Sequence, residues 1–182
     1  MKITPLEIPE VLIFEPKIFE DQRGFFFETY KQQDFNNLIN ADILFKQDSH
    51  SKSYKGVLRG LHYQIPPMDQ GKLIRVIKGE VFDVAVDLRL SSPTFGKYVS
   101  QILSETNKKQ IWIPKGFAHG FLTLSNSAEL IYKMTSSYSP NHERSIIWND
   151  SDLAIAWPKV IFINLSSKDL QAKKFSDAEL FP

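Results

Sequence analysis

The chain reads as an all-β protein, a barrel or sandwich of short strands with small helices at its periphery. Two observations predict this. Short apolar runs recur at intervals of roughly 8–12 residues, each closed by Gly, Pro, Asp or Asn, the spacing of a sandwich or barrel. The strands do not alternate with long helical patterns, as βαβ units would require. Neither an internal repeat nor a low-complexity linker interrupts the 182 residues, so residues 1–182 are read as one domain.

Taken in order, Val11 to Phe19 is an apolar segment broken by Pro16, which confines it to an edge strand or two short ones. Asp21-Gln-Arg-Gly24 carries turn residues, and Phe25 to Tyr30 follows as a short aromatic strand. Phe35, Leu38 and Ile39 lie at helical spacing and predict a helix over Gln32 to Ile39. Ile43 to Lys46 reads as a strand and Ser51 to Lys55 as a polar loop. Ile65 to Gly71 is irregular, because Pro66 and Pro67 remove backbone donors. Lys72 to Ile77 and Glu80 to Leu88 are strands joined as a tight hairpin across Lys78-Gly79. In the second, Val81, Asp83, Ala85 and Asp87 face one way and Phe82, Val84, Val86 and Leu88 the other. Strands over Lys97 to Leu103, Gln110 to Ile113, Gly120 to Leu124, Leu130 to Thr135 and Ser145 to Trp148 complete the set. The tail from Ser166 to Phe175 is read as helical, with Ser166 as N-cap and Asp169 at the third helical position.

Composition excludes several classes of function. Twenty-two Lys and Arg against 21 Asp and Glu leave a net charge of +1, no basic field for nucleic acid or a membrane surface. Cysteine is absent, which removes disulfides, thiol nucleophiles and thiolate metal sites together. No stretch approaches the ~20 apolar residues of a membrane span, and Met1 to Glu10 lacks the apolar core of a signal peptide. A cytoplasmic protein is expected.

The chemistry centres on Gly56-Val-Leu-Arg-Gly-Leu-His-Tyr-Gln64. Arg59 and His62 are three residues apart, so a regular strand sends them to opposite faces. Gly60 between them permits a bulge that turns both into one cavity. Gly56, His62 and Gly79 outline the first motif of the cupin jelly roll, and Pro114-Lys-Gly-Phe-Ala-His119 carries the Pro-x-Gly-x-x-His core of the second. A metal-binding cupin offers a second histidine two residues after the first and a glutamate seven before the glycine. Here those positions hold Gln64 and Lys72, and an ammonium among the ligands repels a divalent ion. What remains is an imidazole and a fixed positive charge in a concave interior. His62 suits a base for abstraction next to a carbonyl, and Lys72 a stabiliser of the enolate oxygen. A proton returned to the opposite face needs an acid across the cavity, for which Tyr132 and Tyr138 are the candidates.

The segments Asp21-Gln-Arg-Gly-Phe-Phe-Phe-Glu28, Gln47-Asp-Ser-His50, Val57 to Gln64, Gln70-Gly-Lys-Leu73, Gly79 to Asp87, Ser92-Pro-Thr-Phe-Gly96, Ile113 to Gly120 and Tyr138-Ser-Pro140 run in order through nearly the whole chain. In these the sequence resembles the dTDP-4-dehydrorhamnose 3,5-epimerases. The resemblance implies a cupin-like jelly roll without metal or organic cofactor, in a homodimer. The implied substrate is dTDP-4-dehydro-6-deoxy-D-glucose, inverted at carbons 3 and 5 on the way to L-rhamnose. It also implies His62 as base with Asp169 as its partner, Lys72 as enolate stabiliser and Tyr132 as acid. The positions implied for nucleotide and diphosphate are Arg23, Phe26, Glu28, Gln47, Ser49, Arg59, His119 and Tyr138. Ser49 is a departure, since the family commonly has Asn there. The segment with Arg23, Phe26 and Glu28 would cross into the neighbouring subunit's site. A mono-epimerase acting at one carbon, or a non-catalytic nucleotide-sugar-binding cupin, are the alternatives on the same scaffold.

Overall fold

The computed structural model describes residues 1–182. The chain runs through β1 (Lys2–Pro5), β2 (Leu12–Glu15), β3 (Phe19–Asp21), β4 (Gly24–Phe26), α1 (Gln32–Ile39), β5 (Gln47–Tyr54), β6 (Leu58–Gln64), β7 (Lys72–Lys78) and β8 (Glu80–Asp87). It continues with β9 (Tyr98–Ser104), β10 (Gln110–Ile113), β11 (Phe117–Thr123), β12 (Ser127–Met134), β13 (Glu143–Ser145) and α2 (Ser167–Leu170), followed by a 3-10 turn at Phe175–Asp177. One sheet has the order β1-β2-β10-β7-β12-β5 and the facing sheet β13-β6-β11-β8-β9; β3 and β4 pair only with each other. From β5 to β8 every successive strand changes sheet, as do β9 through β13. That winding makes the cupin-like jelly roll, and the pairings within both sheets are antiparallel.

Three apolar layers explain why the central strands carry apolar residues on both faces. Between the sheets, Ile13, Ile74, Val76, Leu130 and Ile111 meet Val81, Ala85, Val99, Leu103 and Phe121. Outside the five-stranded sheet, Val84, Val86, Leu61 and Tyr63 are covered by the C-terminal segment through Leu153, Trp157 and Phe181. Outside the six-stranded sheet, α1 lays Phe35 on Phe14, Leu73 and Trp112. The expected alternation along Glu80 to Leu88 is therefore present, with Val81, Asp83 and Ala85 turned inward.

The inner surface changes character along its strands. On β7 it passes from Val76 and Ile74 to Lys72, and on β12 from Ala128 and Leu130 to Tyr132. One end of the barrel is thus filled by apolar side chains. The other end is an open polar cleft.

Four expectations are corrected. Lys78-Gly79 is not a hairpin: β7 and β8 lie in different sheets, and the chain crosses between them at Gly79, whose φ is +75°. A Cβ there would lie 2.1 Å from the Ser127 carbonyl oxygen, so only glycine permits the crossing. The strand expected over Ile43 to Lys46 is displaced to Gln47–Tyr54, which includes most of the supposed polar loop. Its alternation is real, but the inward face bears Gln47, Ser49, Ser51 and Ser53, because it lines the cleft instead of the core. The aromatic strand extends only over Gly24–Phe26. The C-terminal helix shrinks to Ser167–Leu170, since the next residues leave it to form a bridge between Lys173 and Ile146. Helix α1 spans the expected residues, and no helix is long and apolar enough to cross a membrane.

Candidate active site

Gly60 decides which face Arg59 and His62 use. His119 on β11 pairs with His62, and Phe121, two residues on, pairs with Arg59, so β6 holds one residue more than its partner. This bulge brings Arg59 and His62 to the same face, and both line the cleft. Gly60 has φ +128°, and a Cβ on it would sit 2.5 Å from the Gly120 Cα. The close approach of two glycine backbones is what the local sequence Leu58-Arg-Gly-Leu-His62 encodes.

The cleft has a volume of about 420 Å³. Its floor and walls are His62 and Arg59 from β6, Lys72 from β7, His119 and Phe121 from β11, Tyr132 and Met134 from β12, and Gln47 and Ser49 from β5. Gln70, Tyr138 and Glu143 close its rim.

His62 Nε2 lies 2.5 Å from Asp169 Oδ1. Asp169 is buried, and its Oδ2 accepts from Ser166 Oγ at 2.7 Å while its backbone N–H donates to the same hydroxyl at 3.1 Å. The N-cap of α2 and the partner of His62 are thus parts of one small network. Burial pushes the Asp169 carboxyl up, but its hydrogen bonds with His62 and Ser166 hold it below the usual carboxylate range. As a carboxylate it accepts a hydrogen bond from Nε2–H, and the neutral imidazole then has its free lone pair on Nδ1.

Lys72 is buried, and its Nζ finds one acceptor, the His62 carbonyl at 3.3 Å. Burial lowers its pKa to about 8, against the opposing charges of Glu143 and Asp83. The ammonium form therefore persists at neutral pH. Tyr132 OH lies 2.9 Å from Ser51 Oγ, and burial pushes the phenol well above its ordinary value, so it stays protonated and able to donate. Its ring meets that of His119 edge-on at 6.4 Å, across the space between the sheets. Tyr132 and Lys72 come from one sheet and His62 from the other.

Arg59 is aimed by Ser53 Oγ at 3.0 Å and the Lys52 carbonyl at 3.1 Å. Gln47 accepts from the Tyr138 backbone N–H at 2.7 Å and donates to Ser49 at 3.1 Å, tying the rim loop to β5. Tyr138 is half-exposed, with its hydroxyl donating to Glu143 at 2.7 Å. His119 Nε2 bonds Asp83 Oδ2 at 2.9 Å. Gln64, at a position where cupins place a ligand, is occupied with the Met68 and Ser137 carbonyls and the Ser139 N–H. No group of three His, Cys, Asp or Glu side chains is arranged to hold a metal ion.

The structure gathers His62, Lys72, Tyr132, Gln47, Ser49, Arg59, His119 and Tyr138 around one cleft, with Asp169 behind His62. Arg23, Phe26 and Glu28 are not among its lining residues. Arg23 and Phe26 sit at the β3–β4 hairpin, where Arg23 pairs with Asp21 and the aromatic rings of Phe19, Phe25 and Phe26 are exposed. Glu143, Gln70 and Asp83 were missed by the sequence reading. Glu143 stands in the polar run Asn141-His-Glu-Arg144, which carries no signal apart from a surface loop, yet it reaches both Tyr138 and Lys168.

A jelly roll whose open end sets a carboxylate-backed imidazole opposite a buried ammonium and a protonated phenol defines a cupin-like acid–base isomerase. The chain belongs to the dTDP-4-dehydrorhamnose 3,5-epimerase family, whose model matches residues 5–177. It is 57% identical over 182 residues to the dTDP-4-dehydrorhamnose 3,5-epimerase of Pseudomonas aeruginosa, covering 100% of both chains. The enzyme of the same name from Shigella flexneri is 56% identical over 181 residues, 100% of this chain and 99% of that one. Among solved structures, a Legionella pneumophila dTDP-6-deoxy-D-glucose-3,5-epimerase in complex with dTDP-4-keto-L-rhamnose superposes with a TM-score of 0.95 at 51% identity, covering 98% of this chain and 94% of that one.

Proposed function

We propose that the cleft converts dTDP-4-dehydro-6-deoxy-D-glucose to dTDP-4-dehydro-L-rhamnose by inverting carbons 3 and 5. One observation carries this reading: the imidazole and the phenol stand on facing sheets, with the ammonium in the same cavity. His62, with its Nε2 proton held by Asp169, takes the proton from the carbon next to the 4-keto group. The electron pair moves onto the carbonyl oxygen, and Lys72 stabilises the enolate so formed. Tyr132 returns a proton to the opposite face of the same carbon. Because carbons 3 and 5 flank one carbonyl, the same three groups serve both inversions after the ring is repositioned. Tyr132 is favoured over Tyr138 as the acid because its hydroxyl lies inside the barrel, whereas that of Tyr138 is at the rim and held by Glu143.

Arg59, His119, Gln47 and Ser49 are suited to the anionic and polar parts of the nucleotide, and the exposed ring of Tyr138 to its base. Arg23, Phe26 and Glu28 complete the site from a second subunit, in a dimer that exchanges the β3–β4 hairpin. Their exposure, with Arg23 side chain 90% accessible, supports that arrangement.

Incubation of the protein with the 4-keto sugar in deuterated water tests the reading. Deuterium entering carbons 3 and 5, with appearance of the L-configured product by NMR, is expected. Deuterium at one carbon alone would make the protein a mono-epimerase. No incorporation with intact binding would make it a sugar-nucleotide-binding module.

A further inference from the structure

Two crossings of the chain between the sheets form part of the cleft rim: residues 65–71, between β6 and β7, and residues 135–142, between β12 and β13. They are laced together at one end. The Gly71 N–H donates to Thr135 Oγ1 at 2.8 Å, Gln70 Nε2 to the Ser136 carbonyl at 2.6 Å, and Ser136 Oγ to the Asp69 carbonyl at 2.9 Å. These ties stop at Ser136. The stretch beyond it carries Tyr138, which lines the cleft.

That stretch is held by Gln64, the last residue of β6, two beyond His62 and on the same face of the strand. Gln64 is 4% exposed, yet it does not line the cleft. Its Nε2 donates to the Met68 carbonyl at 2.5 Å and to the Ser137 carbonyl at 3.2 Å, and its Oε1 accepts from the Ser139 N–H at 2.7 Å. One buried side chain thus bonds the residues immediately before and after Tyr138 and ties both to the other crossing. Only a carboxamide of this length makes these three bonds. A carboxylate would turn an oxygen toward two carbonyls, and a hydrocarbon would leave all three backbone groups without their partner.

We propose that Gln64 is a positioning residue that acts through Tyr138, holding the rim loop in the conformation that receives the nucleotide. The inference rests on the reading of Tyr138 as a contact for the base. Tyr138 has two bonds of its own, from its N–H to Gln47 Oε1 at 2.7 Å and from its hydroxyl to Glu143 at 2.7 Å. Neither of them reaches the peptide groups on its two sides. Without Gln64 the loop populates other conformations, and apparent affinity falls by the fraction of time it spends out of place. The reacting groups are supported separately: His62 by Asp169, Tyr132 by Ser51 and Lys72 by the His62 carbonyl. The loss therefore falls on binding more than on turnover.

Gln64→Met keeps the length and removes all three bonds. If the loop then holds its binding conformation about a tenth of the time, KM and the Kd for dTDP by calorimetry rise about tenfold, with a much smaller fall in kcat. Tyr138→Ala should also weaken dTDP, and the double variant should bind no more weakly than Tyr138→Ala alone, because Gln64 acts through that residue. If Gln64→Met does not fold, Gln64→Glu, which keeps the Ser139 bond and loses the two donated ones, goes through the same cycle. Fully additive losses, or equal falls in kcat and kcat/KM, overturn the inference. Unchanged dTDP affinity in Tyr138→Ala overturns the base contact instead. Amide hydrogen exchange then still reads the role of Gln64: the Tyr138 N–H, whose own acceptor Gln47 is untouched, should exchange about tenfold faster in the Gln64 variant. Unchanged protection there overturns the inference.

Discussion

At the scale of single residues, the site depends on which protons its surroundings hold in place. Asp169 keeps the His62 Nε2 proton, and burial keeps the Tyr132 phenol protonated. The two groups should therefore be separable by substitution. Tyr132→Phe leaves the base and the ammonium untouched but removes the donor on the far face. Deuterium should still enter the substrate, returned to the side it left, while inversion at one or both carbons falls by about 10²-fold or more. Equal loss of both would make Tyr132 a binding residue. Lys72 and Gln64 also bear on metal dependence, since one is a buried cation and the other spends its amide on three backbone groups. Exhaustive chelation should leave the epimerisation rate unchanged. A loss restored by one particular divalent ion would contradict that.

The element on which most depends is β6, because its bulge decides the face used by two cleft residues. Gly60→Ala meets both a positive φ and a Cβ contact of 2.5 Å to the backbone of β11. Backbone atoms cannot swing aside as a long side chain can. The substitution should cost about 2–4 kcal/mol, lowering the melting temperature by roughly 5–15 °C. Where folded protein is recovered, activity should drop further than stability, because Arg59 and His62 no longer share a face. A variant with full activity would show that the bulge survives without glycine. Strand β5 makes the converse point. Its serines are poor signals for a buried strand, yet Ser51 and Ser53 are the groups that aim Tyr132 and Arg59.

For the whole molecule, the prediction concerns shared sites. Arg23 belongs to a hairpin whose strands pair only with each other, and it does not line the cleft that holds His62. If each site draws on two chains, Arg23→Ala and His62→Ala damage different contributions. Each homodimer should be impaired, and subunit exchange between them should restore activity, since about one site in two of the mixed dimer is intact by two-fold symmetry. Proven exchange without recovery would place both residues in the same subunit's site. The exposed rings of Phe19, Phe25 and Phe26 are the surface whose burial such a dimer would explain.

The sequence alone determined the strand-rich class, helix α1, the inward alternation of β8, and the use of Gly60 to unite Arg59 with His62. Each of these depends on local periodicity or on a residue type with a narrow set of conformations. The family resemblance placed His62, Lys72, Tyr132 and Asp169 in one site, but spacing offers no reason for Asp169, 107 residues beyond His62, to meet it. Only the tertiary structure decided that β7 and β8 part into different sheets, that a polar run forms the cleft wall, and that Glu143 joins Lys72 in lining that cleft. The physical reason is common to all three. Hydrophobic periodicity reports which residues avoid water, whereas the polar lining of a cleft is buried or exposed according to strands paired far away in the chain.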